Sequence, residues 1–100
     1  MKSQFTVPSD HPSLVGHFPG NPIVPGVVIL DKIIQAITND WSEKVVSSIS
    51  FVKFIKPLQA DQKVTLNVTE KDSTTLKFVC EYNGNILVSG QCKVTDKDTT

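Results

Sequence analysis

His17, Gly26 and Asp31 are the residues of this 100-residue chain whose types and spacing could do chemistry. They lie in one stretch, Gly16-His17-Phe18-Pro19-Gly20-Asn21-Pro22-Ile23-Val24-Pro25-Gly26-Val27-Val28-Ile29-Leu30-Asp31, which continues to Gln35-Ala36. Read physically, it places an imidazole in a Pro/Gly loop and a glycine at the start of an apolar helix. A carboxylate follows about one and a half helical turns later. A helix N-terminus presents unpaired N–H groups and the positive end of the helix dipole. A glycine there lets a substrate oxygen approach the backbone closely. An imidazole beside such a donor, with a carboxyl group buried in an apolar setting that favours its neutral form, is equipment for removing a proton next to a carbonyl.

Each of these residues also has a plainer reading. His17 alone could be a loop histidine satisfied by a backbone carbonyl, and Gly26 a flexible helix start. Asp31 could belong to a solvated helix stripe with Lys32, Gln35 and Asn39. Gln35, one turn after Asp31, is placed to hydrogen-bond it. His11, between Asp10 and Pro12, reads as a turn residue, and Trp41 as a core or interface anchor. No His, Cys or carboxylate cluster has metal-ligand spacing, and the glycines do not form a phosphate loop.

The elements that must position these groups are legible in outline. Residues 3–7 alternate weakly and predict a short strand ending at Pro8. Residues 8–26 hold Pro8, Pro12, Pro19, Pro22 and Pro25 with Gly16, Gly20 and Gly26, a density that predicts a long irregular loop. From Val27 to Thr38 there is no Gly or Pro, and polar residues recur at helical spacing. This predicts a helix that is apolar on most sides and largely buried. Strands follow at Val45–Lys53, Gln62–Glu70, Thr75–Tyr82 and Asn85–Thr95. The last two flank Asn83-Gly84, a two-residue hairpin signal. Simple register from that turn pairs Tyr82 with Asn85, Cys80 with Leu87, Phe78 with Ser89 and Thr75 with Cys92. Cys80 and Cys92 would then lie on opposite faces as packing residues, without a disulfide. One long buried helix wrapped by a curved antiparallel sheet of about five strands is an α+β layout, with residues 1–100 one domain. Residues 1–2 and 96–100 are expected to fray.

Composition removes several functions. Ten Lys+Arg, all lysine, balance ten Asp+Glu. With no arginine and no basic excess, nucleic-acid binding loses its usual base-reading side chain and its electrostatic drive. Two cysteines are too few for a disulfide scaffold. The N-terminus has no apolar signal-peptide core, and no apolar run approaches the length of a membrane span. A cytoplasmic location is the expectation.

His-Phe-Pro-Gly-x-Pro-x-x-Pro-Gly, followed by a helix bearing Asp31 and then Gln35, resembles the 3-hydroxyacyl-acyl-carrier-protein dehydratases of the FabA/FabZ type. The approach Val7-Pro8-Ser9-Asp10-His11-Pro12 and the segment Phe51-Val52-Lys53-Phe54-Ile55-Lys56-Pro57-Leu58-Gln59-Ala60-Asp61 are also similar to that family. The likeness covers roughly residues 5–95. FabZ-type members usually carry Glu where this chain has Asp31, and FabA-type members carry Asp. Most members have an initial strand ahead of this region. A weaker likeness is to the small dehydratases of aryl-polyene clusters.

The resemblance implies the hot-dog fold, no dissociable cofactor, and dehydration of a (3R)-3-hydroxyacyl thioester to the trans-2-enoyl thioester. The substrate would ride on acyl carrier protein or coenzyme A. His17 would take the C2 proton, the Gly26 N–H would bind the thioester carbonyl, and Asp31 would position or protonate the departing hydroxyl. Phe18, Pro25, Val27 and Gln35 would line the substrate site. Family members pair sheet edge to sheet edge with the acyl tunnel at the subunit boundary. A homodimer or higher homo-oligomer is therefore implied, with His17 of one copy facing Asp31 of the other. Two rivals stay open: an acyl-thioesterase of the same fold, and a non-catalytic acyl-binding subunit.

Overall fold

The apolar run after Pro25 forms a helix, α1 (Gly26–Asp40), and the rest of the secondary structure is β. The computed structural model describes residues 1–12, 14, 23–41 and 43–97. The strands are β1 (Lys2–Phe5), β2 (Lys44–Phe54), β3 (Val64–Asp72), β4 (Thr75–Tyr82) and β5 (Asn85–Asp96). They form one sheet in the order β1-β3-β4-β5-β2. Every pairing is antiparallel. The helix lies across one face of this curved sheet, the hot-dog layout expected from the sequence.

The core is a stripe of helix against alternate residues of the central strands. Val28, Ile29, Ile33 and Ile37 point inward from α1. They meet Val64, Leu66 and Val68 of β3, Leu76, Phe78 and Cys80 of β4, and Val88, Cys92 and Val94 of β5. Ile33 and Ile37 are fully buried. Burying a side chain of this kind stabilises by about 1.5–3 kcal/mol. That offsets the mediocre helix propensity of isoleucine and valine. Trp41 closes the helix, its N–H donating to the Ile37 carbonyl at 2.8 Å, and packs partly buried on the core.

A bulge in the β4–β5 hairpin corrects the simple register. At the Asn83-Gly84 turn both central residues have positive φ, 50° and 77°, as a type I′ turn requires. Tyr82 pairs with Asn85 and Glu81 with Ile86, but Cys80 then pairs with Val88, leaving Leu87 as an extra residue. Leu87 and Val88 are consequently both buried, and Ile86 faces out. Phe78 meets Gly90 rather than Ser89, and Cys92 meets Leu76 rather than Thr75. Cys80 and Cys92 therefore share the core face instead of lying on opposite faces, and both are free thiols. In β2, register shifts fall between Val46 and Ser48 and between Ile49 and Phe51. They set the inward residues Val46, Ile49 and Val52 three apart, which is why strict alternation is absent there.

At the ends of the sheet the Met1 amino group donates to the Val68 carbonyl at 2.8 Å, and Lys2 pairs with Asn67. Asp96 pairs with Lys44, whose ammonium donates to its carboxylate at 2.6 Å. Residues 98–100 lie outside the described residues.

Candidate active site at the start of the helix

The N-terminus of α1 starts from a proline. Pro25 is the N-cap, extended at φ −61° and ψ 146°, with no side-chain cap and no acidic residue in the first turn. Its carbonyl accepts from Val28 and Ile29 at 3.0 and 3.3 Å. The N–H groups of Gly26 and Val27 have no acceptor within the helix, as in any first turn. They sit at the positive end of the dipole. Ahead of the cap, Ile23 bridges to Gln59 and the Val24 N–H donates to the Leu58 carbonyl at 2.8 Å.

Gly26 leaves room for an aromatic ring. A Cβ there would lie 2.8 Å from Cζ of Phe54 and 3.2 Å from its Cε1, because the Phe54 ring packs directly on the glycine. Phe54 ends β2, and beyond it Ile55 and Lys56 both donate their N–H to the Leu87 carbonyl, at 2.8 and 3.2 Å. Between these segments runs a groove of about 410 Å³, lined by Ile23, Gly26, Ile29, Phe54, Ile55 and Leu58 among others.

Asp31 points away from the core. Val27, Asp31 and Gln35 recur every four residues and share one side of α1, and all three are exposed, Val27 at 76%. Gln35 Nε2 donates to Asp31 Oδ2 at 2.8 Å. Two expectations are corrected here: the helix is not buried on most sides, and the Asp31 carboxyl is not buried within its own chain. The reason is geometric. A single sheet covers one side of a helix, and Leu30 and Ile34 are left only partly covered as well. Pro25, Gly26, Val27, Asp31 and Gln35 are thus brought together along one and a half turns of helix and its cap.

His17 and Phe18 lie outside the described residues. The chain on either side of that stretch is tied to one segment, residues 57–61. On the exit side these are the Leu58 and Gln59 contacts. On the entry side, the Asp61 N–H donates to the Val7 carbonyl at 2.8 Å, and Asp61 Oδ1 accepts from the Ser9 N–H at 3.1 Å. Asp61 does this with φ at +68°, a conformation that aspartate tolerates better than most residues. His11 stands in a turn, its N–H donating to the Pro8 carbonyl and its carbonyl accepting from Leu14.

Sequence reasoning quoted Phe54 and Asp61 only as parts of a family-like segment and gave neither a role. Their signal was that segment's position: an aromatic residue ending a strand, and an aspartate ending a Pro-containing turn. The cysteines add no nucleophile. Burial pushes the Cys80 thiol up to about 12. Burial also raises Cys92, partly offset by a backbone hydrogen bond at Leu76. Among the described residues, no group of three His, Cys, Asp or Glu side chains could hold a metal ion. No helix among them is long and apolar enough to cross a membrane.

Comparison with known proteins places the chain among dehydratases. The chain is 38% identical over 84 residues to a 3-hydroxyacyl-acyl-carrier-protein dehydratase FabZ of Ehrlichia canis, covering 71% of this chain and 57% of that protein. It is 39% identical over 93 residues to the FabZ of Ehrlichia chaffeensis, covering 82% and 64%. The chain thus spans less than two thirds of the length of either relative. Among solved structures, the dehydratase heterocomplex ApeI:P from Xenorhabdus doucetiae matches with a TM-score of 0.79 at 25% identity, covering 93% of this chain and 84% of that one. The family model for the ApeI dehydratase matches residues 1–91, and the chain belongs to the ApeI-like dehydratase family.

Proposed function

We propose that this chain dehydrates (3R)-3-hydroxyacyl thioesters to trans-2-enoyl thioesters, with the acyl group on acyl carrier protein, in cytoplasmic fatty-acid or polyene synthesis. The observation that carries the reading is the open stripe Val27, Asp31 and Gln35 directly after the uncapped Gly26 start of α1. The thioester carbonyl accepts from the first-turn N–H groups, where the dipole favours the enolate-like charge of the transition state. His17, neutral, takes the C2 proton. The C2–H electron pair becomes the C2–C3 double bond as the C3–O bond breaks. Asp31, oriented by Gln35, delivers a proton to the leaving hydroxyl directly or through a water, and water departs. The proton held by His17 then returns to Asp31 through solvent. Pro25 fixes the helix start, and Val27 and Phe18 contribute apolar wall.

An Asp31 that points away from its own core needs a second chain to enclose it. We assign that chain as another copy, so that His17 of one protomer works with Asp31 of its partner and the open helix faces cover each other. The related solved complex is named a heterocomplex, which favours a second reading in which the covering chain is a different subunit. Incubation with 3-hydroxyacyl and enoyl thioesters, read by mass spectrometry, separates dehydration or hydration from hydrolysis and from no reaction. Turnover by the chain alone supports the homodimer, and turnover only after a second subunit is added supports the other arrangement. His17→Ala and Asp31→Asn should each be inactive. A refolded mixture of the two variants should regain one good site per heterodimer, and a mixture without any activity refutes the shared site.

A further inference from the structure

Seven large apolar residues are conspicuously exposed among those described, and three of them, Ile23, Phe54 and Ile55, line the groove beside the helix start. An exposed apolar cluster of this kind marks a place where something binds. Phe54 is unusual among the three. The residue is 49% exposed, yet its ring rests on Gly26 so closely that a side chain there would have to push the ring aside. The helix start it touches has no side-chain cap to hold it. Among the described residues, the proline φ, the Val28 and Ile29 bonds to the Pro25 carbonyl, the Val24–Leu58 hydrogen bond and this ring hold the first turn. The ring is itself anchored, because β2 pairs Phe54 with Val88 and the next two N–H groups converge on Leu87.

We infer that Phe54 is a positioning residue: its ring, seated on Gly26, holds the first-turn N–H groups of α1 where a thioester oxygen must meet them, and walls the groove beside them. The inference rests on the proposed dehydration but is separable from it. Donors aimed at developing charge act only if held in place, and a displacement of about 1 Å can cost 10²-fold. The loss falls on kcat rather than KM, since the interaction strengthens in the transition state.

The test compares Phe54→Leu, Phe54→Tyr, Gly26→Ala and the Gly26→Ala/Phe54→Leu pair. Phe54→Leu should lower kcat by about 10- to 100-fold with KM within about threefold. Phe54→Tyr, which keeps the ring, should stay within about twofold of the parent. Gly26→Ala should be strongly impaired alone but add little on the Phe54→Leu background, a coupling expected of groups in contact. Hydrogen exchange at the Val28 and Ile29 amides, which close the first turn on Pro25, gives a readout independent of turnover. It should quicken several-fold in Phe54→Leu and recover in Phe54→Tyr. A KM-only effect, additive losses, or unchanged exchange overturns the inference. A parent without dehydratase turnover refutes the proposed function instead, and the exchange result then decides alone whether Phe54 holds the helix start.

Discussion

Replacing Val27 by aspartate separates folding from assembly. In the single chain the substitution is nearly neutral. Val27 is 76% exposed and buries little on folding. An acid in the first helical turn gains about 0.3–1 kcal/mol from the dipole. Repulsion from Asp31, four residues on, removes about 0.2–0.5 kcal/mol of that. In a twofold dimer that covers the helix face, the same change is costly. Full burial of a valine side chain is worth about 1.5–3 kcal/mol, so covering the exposed three quarters contributes about 1–2 kcal/mol per copy. Both copies lose it, about 2–4 kcal/mol together, before any cost of burying the new charge. The dimer dissociation constant should therefore rise roughly 30- to 700-fold. Sedimentation equilibrium over a dilution series measures this, with circular dichroism confirming that the variant is folded. Activity per chain should fall at least as far as the dimer fraction, since Val27 also walls the proposed substrate site. If parent and Val27→Asp show the same mass at every concentration, the covered-face reasoning fails.

Asp31→Asn should lower kcat by about 10²–10⁴-fold, the usual weight of an acid–base group. Its melting temperature should hold, because an amide oxygen can still accept from Gln35; intact turnover would return Asp31 to a solvated stripe. Gly90→Ala should destabilise by about 1–3 kcal/mol, as overpacking does. A Cβ there would stand 2.5 Å from the Phe51 carbonyl oxygen and 2.6 Å from Phe78 Cζ, and denaturant unfolding gives the value. The buried Cys80 thiol makes stability fall at high pH. Its unfolded form ionises near 9.0 and its folded form near 12, so between those values the unfolded chain binds fewer protons and is favoured. Cys80→Ala should flatten the alkaline limb of a stability–pH curve; an unchanged limb would count against this.

The helix and the hairpin turn were legible because their signals are local. Val27 to Asp40 contains no Gly or Pro, and Asn83-Gly84 has one favoured geometry. The register beyond the turn was not, because Ile86-Leu87-Val88 is apolar throughout and gives alternation nothing to count. The bulges in β2 hid its inward residues in the same way. At the site, Gly26, Asp31 and Gln35 were readable from spacing, and the hydrogen bond between the last two follows from i, i+4 proximity. The exposure of Asp31 was not readable, since an apolar helix sequence does not say whether its own sheet or another chain covers it. Phe54 carries no role in the sequence because its contact with Gly26 joins residues far apart along the chain.

The extra residue at Leu87 has a consequence for how such a chain can change over generations. Substitutions within the β4–β5 hairpin act through the side chain replaced, but a gain or loss of one residue acts through length. Deleting Leu87 would keep Ile86 outward and Val88 inward, but would remove the carbonyl on which Ile55 and Lys56 converge. The direction in which the chain leaves β2 would turn with it, carrying Phe54 off Gly26. Descendants of this sequence can therefore vary residue identity in the hairpin far more freely than residue number.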